Sequence, residues 1–197
     1  MADRTSNGHH HGRRAGLLGI LAAALVAGSM GAGALSLALF TSTAAVSNNA
    51  FTAGTVVIGA APATAALTAT NMMPGDVVNG QITVSNTGTA QLRYAMSSAS
   101  TNADSKALRD QLTLSVKTLG TSCAAFDGTQ LYTGALNGAA FGSNAAGAQA
   151  GDRTLNAGLN EVLCFRATLP LATGNAFQGA TTTATFTFDA EQTANNP

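Results

Sequence analysis

The chain has 197 residues, and its nine Lys and Arg are balanced by nine Asp and Glu, which gives a formal net charge of zero at pH 7. Only 9% of the residues are charged and the cations are scattered, so we expect no nucleic-acid partner. All three histidines lie at positions 9–11, which leaves the rest of the chain without the most common catalytic base and metal ligand.

An uncharged, apolar stretch covers residues 15–40 and follows two consecutive arginines. A basic start, an apolar middle and small residues near the end form the pattern of a signal peptide. Ser36 and Ala38 place small side chains where a signal peptidase requires them. We therefore predict that residues 1–38 are a signal peptide and that the secreted protein begins at Leu39.

An uncleaved membrane anchor is the competing interpretation of the same stretch. About 20 apolar residues suffice to span a bilayer, and the stretch is longer than an ordinary signal core. Its five glycines weaken a permanent helix, since each costs roughly 1 kcal/mol relative to alanine. We therefore favour export, with membrane contact only through the uncleaved leader.

Residues 39–197 are long enough for one domain with a core, and we predict a single domain there. Six Lys and Arg face eight Asp and Glu in this part, a net charge of −2. We expect Cys123 and Cys164 to form a disulfide, because an even pair in an exported domain usually does. A redox or nucleophilic thiol is the alternative, but there is no CxxC motif and no nearby histidine to activate it.

Apolar and polar residues alternate after the leader with a period of two, which predicts β-strands that bury one face. The apolar positions of five such runs lie within Val78–Val84, Leu92–Met96, Leu112–Val116, Leu163–Leu169 and Ala184–Phe188. Strands of this kind pair in antiparallel sheets, and two sheets must face each other to bury their apolar sides. The sequence therefore predicts an all-β antiparallel sandwich.

Turn-forming residues separate these runs. Pro74-Gly75 suits the central pair of a type II turn, and Asn86-Thr87-Gly88 leaves a hairpin-length gap between two strands. Residues 102–111 give the only indication of a helix, with Asp104 as its candidate N-cap. Twelve of the 18 residues in 134–151 are Ala or Gly, and we predict a long flexible loop there.

Three blocks of the sequence resemble the TasA and camelysin family of exported proteins. They are the leader with Phe40-Thr41-Ser42 and Asn49 to Val56, then Pro74-Gly75-Asp76 with Ile82 to Gly88, and finally Phe177-Gln178-Gly179 with Ala184 to Gln192. The order and spacing of these blocks are similar to the family over about half of the chain, whereas residues 97–160 contain no matching motif.

The resemblance implies a jelly-roll-like sandwich, export through a SipW-type signal peptidase and, for TasA, the subunit of extracellular biofilm fibres. It also implies a rival function, because camelysins are described as surface metalloproteases. The sequence disfavours the rival: HExxH, the usual motif of a zinc protease, is missing, as is any histidine after position 11. We therefore predict no catalytic residue, no metal and no cofactor, with a surface-displayed binding module as the second hypothesis.

Residues 39–60 are predicted to form an N-terminal strand segment that becomes free when the leader is removed. The candidate assembly residues are its large apolar side chains, Phe40, Phe51, Val56, Val57 and Ile58. A strand donated by a neighbouring copy satisfies the backbone of an open sheet edge, and head-to-tail repetition of that contact gives a filament. An ordinary first strand of a monomer is the alternative.

Overall fold

The alternating runs of the sequence form the long strands of two antiparallel sheets. In the computed structural model, which describes residues 50–196, nine strands are connected by one short helix, one 3-10 turn and irregular segments. The strands are β1 (Ile58–Ala61), β2 (Val77–Asn86), β3 (Leu92–Ser100), β4 (Thr113–Thr118), β5 (Gln130–Ala135), β6 (Ala140–Phe141), β7 (Arg153–Leu155), β8 (Asn160–Thr168) and β9 (Ala184–Gln192). The helix α1 covers Leu108–Gln111, and the 3-10 turn covers Asn175–Phe177.

The first sheet has five strands in the order β1-β2-β8-β4-β5. β8 lies at its centre and pairs with β2 from Val77–Thr168 to Ser85–Asn160. β1 pairs only with the last part of β2, from Ala61–Thr83 to Ile58–Asn86. On the side that faces β1, the earlier part of β2 therefore has no partner strand within the described part of the chain.

The second sheet is built around β3. One edge of β3 pairs with all nine residues of β9, from Leu92–Gln192 to Ser100–Ala184. Its other edge is shared by β6, through Met96–Phe141, and by β7, through Leu92–Leu155. β9 thus forms the outer edge of this sheet.

The inner faces of the two sheets enclose one apolar core. The rings of Phe165 in β8 and Phe186 in β9 pack at 4.9 Å between centroids, which joins the sheets directly. Tyr94 of β3 is fully buried between Phe141 and Phe188, at 6.1 and 6.2 Å. The predicted all-β antiparallel sandwich with a short helix is confirmed, and it is jelly-roll-like because β2, β3 and β4 alternate between the sheets.

Residues 52–196 lie within one compact unit. The predicted leader, its cleavage residues Ser36, Ala38 and Leu39, and the assembly residue Phe40 lie outside the described residues. Within residues 50–196, no helix has the length and apolar character needed to cross a membrane.

The Pro74-Gly75 turn is confirmed. Gly75 has a φ of 97°, which a side chain would disfavour, and the amide of Asp76 donates to the carbonyl of Met73 at 2.9 Å. The amide of Gly75 also donates to the carbonyl of Leu169 at 2.7 Å. This turn therefore holds the start of β2 against the end of β8.

The gap at Asn86-Thr87-Gly88 does not form a hairpin, because β2 and β3 belong to different sheets. Asn86 is 1% exposed, and its side-chain amide donates to the carbonyls of Ala90 and Leu155 at 2.9 and 3.0 Å. Its side-chain oxygen accepts from the amide of Gly88 at 3.0 Å. Asn86 thus provides hydrogen-bond partners for two carbonyls and one amide at the point where the chain crosses to the second sheet. The turn motif in the sequence does not predict this crossing.

The predicted helix is shorter than its sequence pattern, and Asp104 does not cap it. The N-cap of α1 is Ala107, which makes no capping hydrogen bond through its side chain. Asp104 instead accepts from the amides of Lys106 and Thr181, at 3.0 and 2.6 Å. It therefore ties the segment before α1 to the segment before β9.

The Ala/Gly-rich stretch of residues 134–151 contains regular structure. It includes the end of β5 and all of β6, and it buries Leu136, Ala139 and Phe141 in the core. The remainder follows the outer face of the second sheet, where the amide of Gly147 donates to Glu191 at 3.0 Å. The mobility of the stretch stays a prediction.

Candidate assembly surface and buried polar network

The segment before β1 is attached to the connection between β2 and β3. The carbonyl of Val57 accepts from the amide of Thr87, and the carbonyl of Thr55 accepts from the amide of Thr89, both at 3.0 Å. The amide of Thr55 donates to the hydroxyl of Thr89 at 2.9 Å. A Cβ at Gly88 would collide with the carbonyl of Thr55, so only glycine permits this close approach.

The structure separates the candidate assembly residues into two groups. Ile58 opens β1 and packs, half-buried, against the core. Phe51, Val56 and Val57 keep 94%, 37% and 46% of their surface exposed. Ile58 thus behaves as part of an ordinary first strand, which was the alternative hypothesis. The chain before β1, by contrast, exposes apolar side chains to solvent.

β9 offers the longest strand edge for a further strand. Its nine residues pair with β3 on one side only. Residues 184–188 are one Ala, two Thr and two Phe, and none of them is charged. Phe186 and Phe188 pack against the core while remaining only partly buried. This uncharged first half of the edge is open to pairing with another chain, whereas Asp189 and Glu191 lie in its second half.

β5, at the edge of the first sheet, is a poorer acceptor. It has six residues, and its pairing with β4 is interrupted by a register shift between Val116 and Lys117. Such irregularities twist a strand edge away from a straight partner. Comparison of the two edges therefore favours β9.

A disulfide attaches the connection between β4 and β5 to the outer face of the first sheet. Cys123 is bonded to Cys164 of β8, as the sequence predicted, and Cys164 is 1% exposed. Nearby, the ring of Phe126 lies 4.0 Å from the guanidinium carbon of Arg166 and 5.0 Å from the ammonium of Lys117. These cation–π contacts and the disulfide fix this connection in place.

Three polar side chains form a network between the sheets. The Tyr94 hydroxyl donates to Oε2 of Glu161 at 2.6 Å, and Nε of Arg153 donates to both carboxylate oxygens of Glu161, at 3.0 and 2.9 Å. Nη2 of Arg153 also contacts Oε1 of Glu161. The sequence did not predict this network, although the hydroxyl of a buried tyrosine usually has a hydrogen-bond partner.

The surroundings shift two pKa values within the network. Burial, followed by the hydrogen bond to Glu161, raises the pKa of Tyr94 far above its ordinary value. The hydrogen bond with Glu161 raises the pKa of Arg153, against the opposing effect of burial. Tyr94 is therefore neutral and Arg153 charged at neutral pH, which suits a structural tie rather than proton transfer.

A second ion pair lies on the outer face of the smaller sheet. Nε of Arg93 lies 3.1 Å from Oε1 of Glu191, and the Arg93 side chain is 8% exposed. The loop that contains Ser143 and Asn144 closes over this pair and leaves a cleft of about 50 Å³ beside Asp189. The cleft has room for only a few water molecules, so we assign it no substrate.

The carboxylates of the described residues do not converge. Within residues 50–196, no three side chains of His, Cys, Asp or Glu are placed to share a metal ion. Asp152 accepts from the amides of Ser143 and Gln149, and Asp127 accepts from the amide of Thr121. Their oxygens are used to hold loops together.

The two sheets, the disulfide and the unpaired edge of β9 define a disulfide-linked antiparallel β-sandwich. The family model described as camelysin metallo-endopeptidase matches residues 13–113, just over half of the chain. The chain therefore belongs to the TasA and camelysin family, a family of surface and secreted proteins. No curated protein matches the chain.

The family description implies a catalytic metal, and the described residues do not fit one. A catalytic zinc site needs three protein ligands around an open position, usually with histidine among them. The matched range contains no histidine, and its three aspartates at 76, 104 and 110 are separated along the chain. Asp76 and Asp104 accept backbone amides, and Asp110 lies 3.6 Å from the guanidinium of Arg109.

Proposed function

We propose that the protein is a secreted, non-catalytic structural subunit of the cell surface or biofilm matrix, whose copies assemble into filaments by strand exchange. The observation that supports this most is the unpaired outer edge of β9, in a chain that also contains an uncharged N-terminal segment. We assign the edge of β9 as the acceptor and residues 39–50 as the donor. Family membership supports a surface location.

The N-terminal segment begins close to the end of the acceptor strand. Thr55 is held against the connection after Asn86, at the end of the sandwich where β9 also finishes, at Gln192. Gly54 lies against Thr89 and Ala90 of the same connection. A donated strand would continue from this point into a neighbouring copy.

The acceptor and donor also match in chemistry. Nine residues in extended conformation span about 30 Å, so residues 39–50 are long enough to follow β9 along its whole length. A donated strand would cover the partly buried Phe186 and Phe188 and satisfy the open backbone of β9. Because the contact joins different surfaces on each copy, it repeats without closing.

The test uses protein secreted from the full-length chain, with its N-terminus verified by sequencing. We expect filaments by electron microscopy from the unaltered protein. Deletion of Leu39 to Ala50 should abolish them, while far-UV circular dichroism and the disulfide stay unchanged. A second variant replaces residues 39–50 by Gly and Ser and so keeps the length of the chain. It should also prevent filaments, because the apolar side chains are lost.

Two results would contradict the proposal. One is persistence of monomers at high concentration after verified removal of the leader. The other is filaments that form equally well from the deletion and Gly/Ser variants, since strand donation requires the segment.

A further inference from the structure

The two halves of the disulfide differ in their exposure to solvent. Cys164 is fully buried in β8, whereas Cys123, in the connection between β4 and β5, is only partly buried. Thiol–disulfide exchange proceeds by attack of a thiolate on one sulfur of the bond, and access to that sulfur governs which one is attacked. An external thiol therefore has an approach to Cys123, and Cys164 is then the leaving group.

Two cations lie beside the leaving sulfur. Lys117 of β4 is directly opposite Cys164 in the antiparallel pairing, and Arg166 follows Cys164 by two positions on the same face of β8. Opposite residues have Cβ atoms about 4.5–5.5 Å apart, and residues two apart on one strand are separated by roughly 7 Å. On the other side, in β2, the opposite residue is the neutral Gln81. Both charged residues adjacent to Cys164 in the sheet are therefore positive.

Contacts with one aromatic ring hold these two cations near the disulfide. Nζ of Lys117 lies 5.0 Å from the ring centroid of Phe126 and donates to the carbonyl of Phe126 at 2.9 Å. The guanidinium carbon of Arg166 lies 4.0 Å from the same centroid, and its Nε donates to Oδ1 of Asn79 at 2.8 Å. The positive charge is thus a fixed part of the surroundings of the disulfide.

The connection between β4 and β5 also has internal contacts that do not involve the disulfide. The amide of Phe126 donates to the carbonyl of Ser122 at 3.1 Å, and the Phe126 side chain is buried. Asp127, the only carboxylate in residues 119–129, accepts from the amide of Thr121 at 2.9 Å. We therefore expect the connection to stay folded when the disulfide opens.

We propose that Cys123–Cys164 is an exchangeable disulfide, in which a low-molecular-weight thiol attaches to Cys123 as a mixed disulfide and releases the Cys164 thiolate beside Lys117 and Arg166. The thiol first loses its proton to water, and its electron pair forms the new S–S bond to Cys123. The electron pair of the old bond leaves with Sγ of Cys164. The external sulfur is oxidised and Cys164 is reduced, so no further oxidant is needed.

The cations supply what the sequence lacks for this chemistry. The chain has no histidine after position 11 and no CxxC motif, the features that usually activate a thiol. Neighbouring Lys and Arg side chains serve the same purpose, because they stabilise the negative charge that develops on a departing sulfur. Lys117 and Arg166 occupy that position beside Cys164. The inference does not depend on filament formation.

The first test locates the attached thiol, with 2-mercaptoethanol as the probe and folded secreted protein at neutral pH. Mild acid stops the exchange at short times, and a maleimide then blocks free thiols in denaturant. We expect peptide mapping to find the probe on Cys123 and the maleimide on Cys164. The reverse assignment, or exchange that occurs only in denaturant, would overturn the proposal.

The second test measures how the cations affect the exchange rate. We expect Lys117→Gln and Arg166→Gln each to slow the formation of the mixed disulfide about three-fold or more. Lys117→Arg keeps the charge and should retain most of the rate. Lys106→Gln is the matched control, because it also removes an ammonium that donates to a backbone carbonyl, that of Gln178, in the segment before α1. Its rate should equal that of the unaltered protein.

The direction of the change separates the effect of charge from a loosened structure. Loss of the contacts with Phe126 would free the connection and speed up exchange, whereas loss of positive charge slows it. Faster or unchanged exchange in both Gln variants, or equal slowing in Lys106→Gln, would therefore contradict the role of the cations. None of these results bears on strand exchange, so failure here leaves the proposed function unaffected.

Discussion

The hydroxyl of Tyr94 donates a hydrogen bond of 2.6 Å to the carboxylate of Glu161, which lies in the opposite sheet. Arg153 binds the same carboxylate, so a buried acceptor that would be costly alone has two donors. Phe141 and Phe188 surround the Tyr94 ring. Together these contacts fix the spacing of the sheets near the end of β2.

Removal of the Tyr94 hydroxyl should destabilise the sandwich. We expect Tyr94→Phe to lower the free energy of unfolding by about 1–3 kcal/mol, because a hydrogen bond to a charged, poorly solvated carboxylate is lost. Tyr132→Phe is the matched control, since its hydroxyl bonds the carbonyl of Ala135 at an exposed site and should cost no more than about 0.5 kcal/mol. Chemical denaturation measures both values, and equal effects would contradict a special role for Tyr94.

The raised pKa of Tyr94 predicts a loss of stability at alkaline pH. In the unfolded chain tyrosine ionises near pH 10, whereas burial and Glu161 keep Tyr94 protonated in the folded state. Above about pH 10 the unfolded state therefore binds fewer protons, and the free energy of unfolding falls as pH rises. Between about pH 10 and 11.5, the free energy of unfolding of Tyr94→Phe should fall less steeply than that of the unaltered protein. Parallel curves for the two proteins would show that Tyr94 does not cause the loss of stability.

Reduction of the disulfide should weaken the fold. The bond closes a loop of 41 positions, for which the chain-entropy model gives about 4 kcal/mol before any opposing effect. We expect a reducing agent, or Cys123→Ser with Cys164→Ser, to lower the free energy of unfolding by up to this amount. Without reduction, the native protein should show no reactive thiol. Two alkylated cysteines in the untreated secreted protein would disprove the pairing.

We predict that the purified secreted protein has no metal-dependent protease activity. The chain has no histidine after position 11, and the carboxylates of residues 50–196 do not converge on a shared ion. A casein-degradation assay with and without added zinc should give the same background rate, and a chelator should change nothing. Cleavage that is lost on chelation and restored by zinc would reverse this conclusion.

The elements that the sequence predicted well are those with one buried face. Val78–Val84 and Ala184–Phe188 alternate clearly, and both lie within the observed strands β2 and β9. The disulfide follows from the presence of only two cysteines. By contrast, β6 and β7 have two and three residues and lie in or beside the Ala/Gly-rich stretch, so their pattern is too short to predict.

The polar contacts could not be predicted because they join residues that are distant in sequence. Glu161 lies 67 positions from Tyr94, and Thr181 lies 77 positions from Asp104. The spacing near Asp104 resembles a helix cap, and only the fold shows that Thr181 competes for the same carboxylate. The open edge of β9 likewise depends on strand order, which alternation alone does not specify.

The structure of the filament by cryo-electron microscopy tests the central claim most directly. Filaments of the secreted protein should show a strand from residues 39–50 of one copy paired along the outer edge of β9 in the next copy, over Phe186 and Phe188. Filaments in which the edge of β9 is open, or is paired with a segment of its own copy, would contradict assembly by strand exchange.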